Sequence, residues 1–185
     1  MPTCKHYIGI ILLIAWHLSH AQSTNDSVFN GSTLRPAVHP GQPVLFVFLS
    51  PECPLCQNYT VVLNRLDRQY AGKIKMYGIV PGRTYGKVEI NNFIQKYKIS
   101  YPLLADPSLR LCRYLQAAAT PEAILLSSGD ELIYKGAIDN WYKALGKSRV
   151  KPTENYLQDA IERSLRQEPV YLKRTTPVGC LINDF

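Results

Sequence analysis

The chain has 185 residues, room for one domain with short extensions and for a sizeable buried core. Hydrophobic residues make up 46% and charged residues 19%, a balance that suits an ordinary globular protein and excludes a disordered one. The net charge of +7 comes from scattered bases such as Lys73, Lys75, Arg83, Lys87, Lys96 and Lys98, with no dense block; this is a solvated surface, and no nucleic-acid partner is expected.

Residues 1–7 carry Lys5, and residues 8–18 are apolar apart from Gly9 and His17. Ser19 and Ala21 then supply small residues at the −3 and −1 positions of a cleavage site. The pattern predicts a secretory signal peptide over residues 1–21 and a mature chain from Gln22, periplasmic or extracellular, where disulfides persist. An uncleaved anchor is the alternative, but the run is shorter than the roughly 20 residues a helical span needs. Cys4 precedes the apolar run, which excludes a lipoprotein signal, and no later stretch is suited to crossing a bilayer. Cleavage would remove Lys5 and lower the charge to +6, leaving Cys53, Cys56, Cys112, Cys180 and a single histidine, His39.

Residues 22–42 are polar and rich in Ser, Asn, Gly and Pro, and read as a flexible lead-in. Residues 44–49 form an unbroken apolar run of the kind a central buried strand gives. Leu55, Tyr59, Val62, Leu63, Leu66 and Tyr70 share one helical face, which Gly72 closes. Residues 74–80 read as the next strand, and Ile90, Phe93, Ile94 and Tyr97 mark a second helix. Residues 101–105 suit a short extended piece and residues 108–115 a short helix. Residues 122–126 and 131–138 are two strands joined by Ser128-Gly129-Asp130, a hairpin turn. A last helix is expected from Pro152-Thr153 onward, carrying Tyr156, Leu157, Ala160, Ile161 and Leu165. The order predicts an α/β sandwich, a mixed sheet with helices on both faces, over residues 43–167, followed by a tail over residues 168–185.

Cys53 and Cys56 stand where the first strand passes into the first long helix. Unpaired backbone N–H groups and the helix dipole favour an anion at that end, so thiolate forms more readily on Cys53. Cys56, one turn on, is placed to resolve a mixed disulfide, and Pro54 suits a first helical turn because it needs no amide hydrogen there. A purely structural disulfide is the other reading of the pair. A c-type haem site is excluded in its usual form, since Gln57 stands where the ligand histidine belongs, and no second C-x-x-C or histidine pair completes a zinc site. The residues call for no cofactor.

Residues 46–56 (FVFLSPECPLC), 119–126 (ATPEAILL) and 134–142 (YKGAIDNWY) together resemble the thioredoxin-like superfamily, in its exported redoxin branch related to AhpC/TSA proteins and cytochrome-maturation thioredoxins. The resemblance spans roughly residues 44–166. It implies a thioredoxin-like fold with residues 87–115 as an insertion before the strand that follows a cis proline. Thr120-Pro121, with Pro121 65 residues after Cys56, fits that proline, and by resemblance Thr120 and Pro121 would contact the substrate. The acidic residue that assists cytoplasmic thioredoxins is replaced by Val47, which leaves Glu52 as a candidate modulator of the thiol. The peroxiredoxin pattern P-x-x-x-(T/S)-x-x-C keeps Ser50 and loses its proline to Phe46.

The tail sequence Thr175-Thr176-Pro177-Val178-Gly179-Cys180-Leu181-Ile182 is similar to endings of exported redoxins, some fused to haem or copper-dependent oxidoreductase domains. Cys180 is therefore a second candidate modulator: a third thiol or metal ligand turned back toward the first pair, a partner of Cys112, or a tail thiol with no role. Cys112, between Leu111 and Leu115, reads as a core residue. Asp139, Trp141 and Tyr142 read as packing, with a partner groove as the alternative. The resemblance implies a thiol–disulfide oxidoreductase acting on a protein thiol or disulfide, served by a membrane-bound electron donor or a haem or copper redox protein. Two alternatives are a thioredoxin-fold copper chaperone, for which the downstream histidine is missing, and a thiol peroxidase with an antioxidant role.

Overall fold

The computed structural model describes residues 41–182; the expected signal peptide, and the lead-in up to residue 40, lie outside them. In chain order the elements are β1 (Val44–Phe48), α1 (Pro54–Gln69), β2 (Lys75–Pro81), α2 (Lys87–Tyr97), β3 (Leu103–Asp106), α3 (Arg110–Leu115), β4 (Ala119–Thr120), β5 (Glu122–Leu126), β6 (Leu132–Gly136), β7 (Tyr142–Ala144), β8 (Lys147–Ser148), α4 (Tyr156–Leu165) and β9 (Cys180–Leu181). Five strands form the main sheet in the order β3-β2-β1-β5-β6. β1, β2 and β3 run parallel, and β5 and β6 are antiparallel additions. This is the mixed sheet flanked by helices that the sequence pattern implies, and the inserted residues 87–115 supply its β3 edge.

β1 is central and buried on both faces, which explains its unbroken apolar run. Leu45, Val47 and Leu49 point into a core shared with Leu63 and Leu66 of α1, Phe93 of α2 and Leu157 and Ile161 of α4. Val44, Phe46 and Phe48 point the other way, onto Leu111 and Cys112 of α3 and Ile182 of the tail. Cys112 is thus the core residue the sequence suggested, in a different cluster from Cys53, and it is not bridged to Cys180.

Two local expectations need correction. The last helix starts at Tyr156 and not at Pro152, because Asn140 takes the Glu154 carbonyl that a helix begun at Pro152 would turn to Gln158 N. Asn140 Oδ1 accepts from Thr153 N at 2.9 Å and from Glu154 N at 3.2 Å, and its own N–H donates to the Glu154 carbonyl at 3.1 Å. β7 and β8 form a small exposed ribbon that the sequence pattern did not suggest. The tail is laid along the domain: Thr175 Oγ1 accepts from Ala137 N at 2.9 Å and lies 2.6 Å from the Tyr134 hydroxyl, and β9 pairs antiparallel with β4.

Candidate functional site

Cys53 is the N-cap residue of α1, its backbone still extended, with Pro54 opening the first turn. Cys53 N donates to the Ser50 carbonyl at 3.1 Å, and Gln57 Nε2 donates to the Pro51 carbonyl at 2.8 Å, which fixes the loop between β1 and the helix. Cys56 lies one turn on, fully buried, with Ser50 N donating to its Sγ at 3.4 Å. The Thr120-Pro121 peptide bond is cis, as the sequence suggested, and the Thr120 carbonyl lies 3.3 Å from Cys53 Sγ, where it accepts the thiol's proton only while Cys53 is protonated. Glu122 holds this segment from below: its buried carboxylate accepts from Ala118 N at 2.7 Å and Ala119 N at 3.3 Å, and faces Lys135 at 3.8 Å.

Cys180 Sγ lies 2.9 Å from Cys53 Sγ. The register of β9 on β4, Thr120 opposite Cys180, places it there, and Gly179 permits the approach because a Cβ at that position would collide with the Thr120 carbonyl. Three of the four thiols in the described residues therefore converge. A cavity of about 360 Å³ opens beside them, lined by Ser50, Glu52, Cys53, Tyr85, Thr120 and Cys180 among others. A larger hollow of about 590 Å³ adjoins it around Arg83, Thr84 and Arg113, but no thiol faces it.

The environment separates the three thiols. Hydrogen bonds from Cys56 first, and also from Cys180, stabilise the Cys53 thiolate against the cost of burial and bring its pKa from the ordinary 9.0 down to about 5. Cys56 is driven the opposite way, mainly by burial and then by its bond to Cys53 and the charge there. Cys180 is pushed up to about 11, first by burial and then by Cys53 in the same two ways. One sulfur thus carries the negative charge and two protonated thiols point at it. Among the described residues no cluster of three or more His, Cys, Asp or Glu side chains is arranged to hold a metal ion.

Glu52 sits exposed at the cavity rim, 3.4 Å from the Tyr85 hydroxyl, which also accepts from Ser50 Oγ at 3.1 Å. Sequence reasoning did not single out Tyr85, and nothing in its local pattern marks it. Asp139, Trp141 and Tyr142 pack around α1: the Tyr59 hydroxyl donates to the buried Asp139 at 2.6 Å, and the Tyr59, Trp141 and Tyr142 rings are in mutual contact.

A buried dithiol at a helix N-terminus beside a cis proline, on a sheet of this order, defines a thioredoxin-like protein. The AhpC/TSA family model matches residues 21–135, and the chain belongs to that family. Among solved structures it is similar to a hypothetical protein from Sinorhizobium meliloti, with 23% identity and a TM-score of 0.69 over 77% of this chain and 80% of that one. An uncharacterized conserved protein from Geobacillus kaustophilus shows 19% identity and a TM-score of 0.70 over 77% of each chain. DsbF of Mycobacterium tuberculosis, solved in mixed oxidized and reduced forms, shows 16% identity and a TM-score of 0.52 over 68% of this chain and 81% of that one. At these identities the likeness establishes the fold. A search of curated proteins gives no match.

Proposed function

We propose that the chain is a thiol–disulfide oxidoreductase working outside the cytoplasm, with Cys53 as nucleophile and Cys56 as the resolving thiol. The observation that carries this reading is the placement of two sulfurs at the start of α1, Cys53 at the N-cap beside the Thr120 carbonyl and Cys56 one turn on and fully buried, an environment that lowers the pKa of the first and raises that of the second. The Cys53 thiolate attacks a partner disulfide, forming a mixed disulfide and releasing one partner thiolate. Cys56 then gives up its proton and attacks Cys53 Sγ, forming the Cys53–Cys56 bridge and releasing the second partner thiolate. Run backward, the same steps deliver a disulfide to a reduced partner.

A stabilised thiolate stabilises the reduced pair, and so favours disulfide donation over reduction. Thr120 and Pro121 would orient the partner chain, and Glu52 at the rim would tune the approach of its charges. The exported location rests on the apolar segment 8–18 and the small residues that follow it. The partner would be a protein thiol; a pair left reduced by donation would pass its two electrons to a haem or copper redox protein, and in the reverse direction a membrane-bound electron donor would reduce it again.

Incubation with a disulfide-linked reporter peptide tests the reading. Cys53→Ser should abolish exchange, and Cys56→Ser combined with Cys180→Ser, which leaves no thiol beside Cys53, should accumulate a one-to-one mixed disulfide on Cys53. Exchange that persists in Cys53→Ser would reject the assignment.

A further inference from the structure

With β9 in place Cys53 is 3% exposed and Cys56 fully buried, whereas Cys180, directly against Cys53, is half-buried and reaches solvent. The edge of β4 next to the cis proline is already hydrogen-bonded to a strand, and that strand belongs to the same chain. It is anchored on both sides of its cysteine. Upstream, Thr175 N donates to the Lys135 carbonyl at 3.0 Å, and its hydroxyl is bound at the end of β6. Downstream, Ile182 N donates to the Ala118 carbonyl at 3.0 Å and the Ile182 side chain enters the core. A loose tail thiol would have none of these ties. An extended peptide paired with β4 carries its thiol to Cys53 by register, and Cys180 is that thiol.

We propose that β9 is an intramolecular partner strand and Cys180 a third redox-active residue, which takes the disulfide from the Cys53–Cys56 pair and presents it at the surface. This rests on the oxidoreductase reading above. The Cys180 thiol loses its proton to solvent and its thiolate attacks Cys53 Sγ. The Cys180–Cys53 bond forms as the Cys53–Cys56 bond breaks, and the departing Cys56 thiolate takes up a proton. The number of disulfides and of protons is unchanged, so the step needs no outside oxidant. An external thiol then reaches the bridge at Cys180 without β9 leaving the groove. Held at contact distance, Cys180 competes with outside thiols at a high effective concentration.

The test uses the full chain with Cys4→Ser throughout, equilibrated in glutathione buffers, quenched with acid and mapped by mass spectrometry without reduction. In Cys56→Ser the Cys53–Cys180 bridge should exceed the glutathione adduct on Cys53 by at least ~10-fold. Adding Gly179→Ala, which drives β9 away from Thr120 and touches no sulfur, should lower that ratio by ~10-fold or more. In the chain with all other cysteines intact, limiting oxidant should yield both Cys53–Cys56 and Cys53–Cys180 peptides. Glutathione retained on Cys53 with Cys180 free, or bridging indifferent to Gly179→Ala, would overturn the proposal. Cys180→Ser separates the two readings: if its Cys53–Cys56 pair fails to exchange with glutathione, the oxidoreductase reading falls and this proposal with it. Normal exchange there, with no Cys53–Cys180 bridge in Cys56→Ser, removes only the role of Cys180.

Discussion

Replacing Cys56 with Ala removes the strongest of the hydrogen bonds that hold the Cys53 thiolate. A hydrogen bond to a charged group is worth about 1.5–3 kcal/mol and one pKa unit about 1.36 kcal/mol, so the Cys53 midpoint should rise by about one to two pH units. The Cys180 bond remains and keeps the midpoint below that of a free thiol. Two effects then oppose each other, because a more basic thiolate is less abundant but more nucleophilic, with a Brønsted slope of about 0.4–0.5 for disulfide exchange. At pH 5 the variant should react about 2–6-fold more slowly with a chromogenic disulfide, and at pH 7 about 2–4-fold faster. The assay is the initial rate of release of the first equivalent from pH 4 to 9, with mass mapping to confirm Cys53 as the site. Rate profiles that superpose, or a midpoint near 9 in the unchanged chain, would refute the role given to Cys56.

Stability should follow the same charges. The Cys53 pKa is lower in the folded chain than the ordinary 9.0, so the reduced protein should gain stability as pH rises from about 5 to 9 and lose that contribution as pH falls through about 5. Above pH 9 the raised Cys56 and Cys180 should work against it; urea midpoints across pH, reduced against oxidised, read both trends. Glu122→Ala takes the acceptor from Ala118 N and Ala119 N and the ion partner from Lys135, and should cost ~3 kcal/mol in urea unfolding along with slower exchange at Cys53. Gly136→Ala would force a side chain onto the Thr175 backbone at a φ of 144°, and should cost ~1–3 kcal/mol and speed amide exchange at Ile182, the far end of the tail.

What the sequence made legible was whatever local pattern encodes. The residues of β1 are apolar on both faces because the strand is central, so one unbroken run identified it, and the helix beginning at Pro54 followed from its apolar stripe. Cys53 could be placed at a helix N-terminus for the same reason. The pattern places the start of α4 too early because Asn140, distant along the chain, takes the Glu154 carbonyl, and periodicity does not register such a bond. The β7–β8 ribbon is largely exposed and has no apolar alternation to announce it. Gly179-Cys180 drew attention in the sequence, but its partner stayed open because the register of β9 on β4 joins residues 60 positions apart. Tyr85 enters the cavity through a loop whose path only the fold determines.

The most direct measurement of the central claim is the reduction potential of the Cys53–Cys56 pair, taken by glutathione equilibrium at pH 7 in the Cys180→Ser chain. A thiol ionised with a pKa of about 5 stabilises the reduced pair at pH 7 by about 2.3 kcal/mol more than one with thioredoxin's pKa of about 7, equivalent to ~50 mV. Because Cys180→Ser removes one of the donors that hold the Cys53 thiolate, the account expects reversible exchange with a potential above thioredoxin's roughly −270 mV and no higher than about −220 mV. A pair that never exchanges, or one below about −300 mV as in structural disulfides, would contradict it.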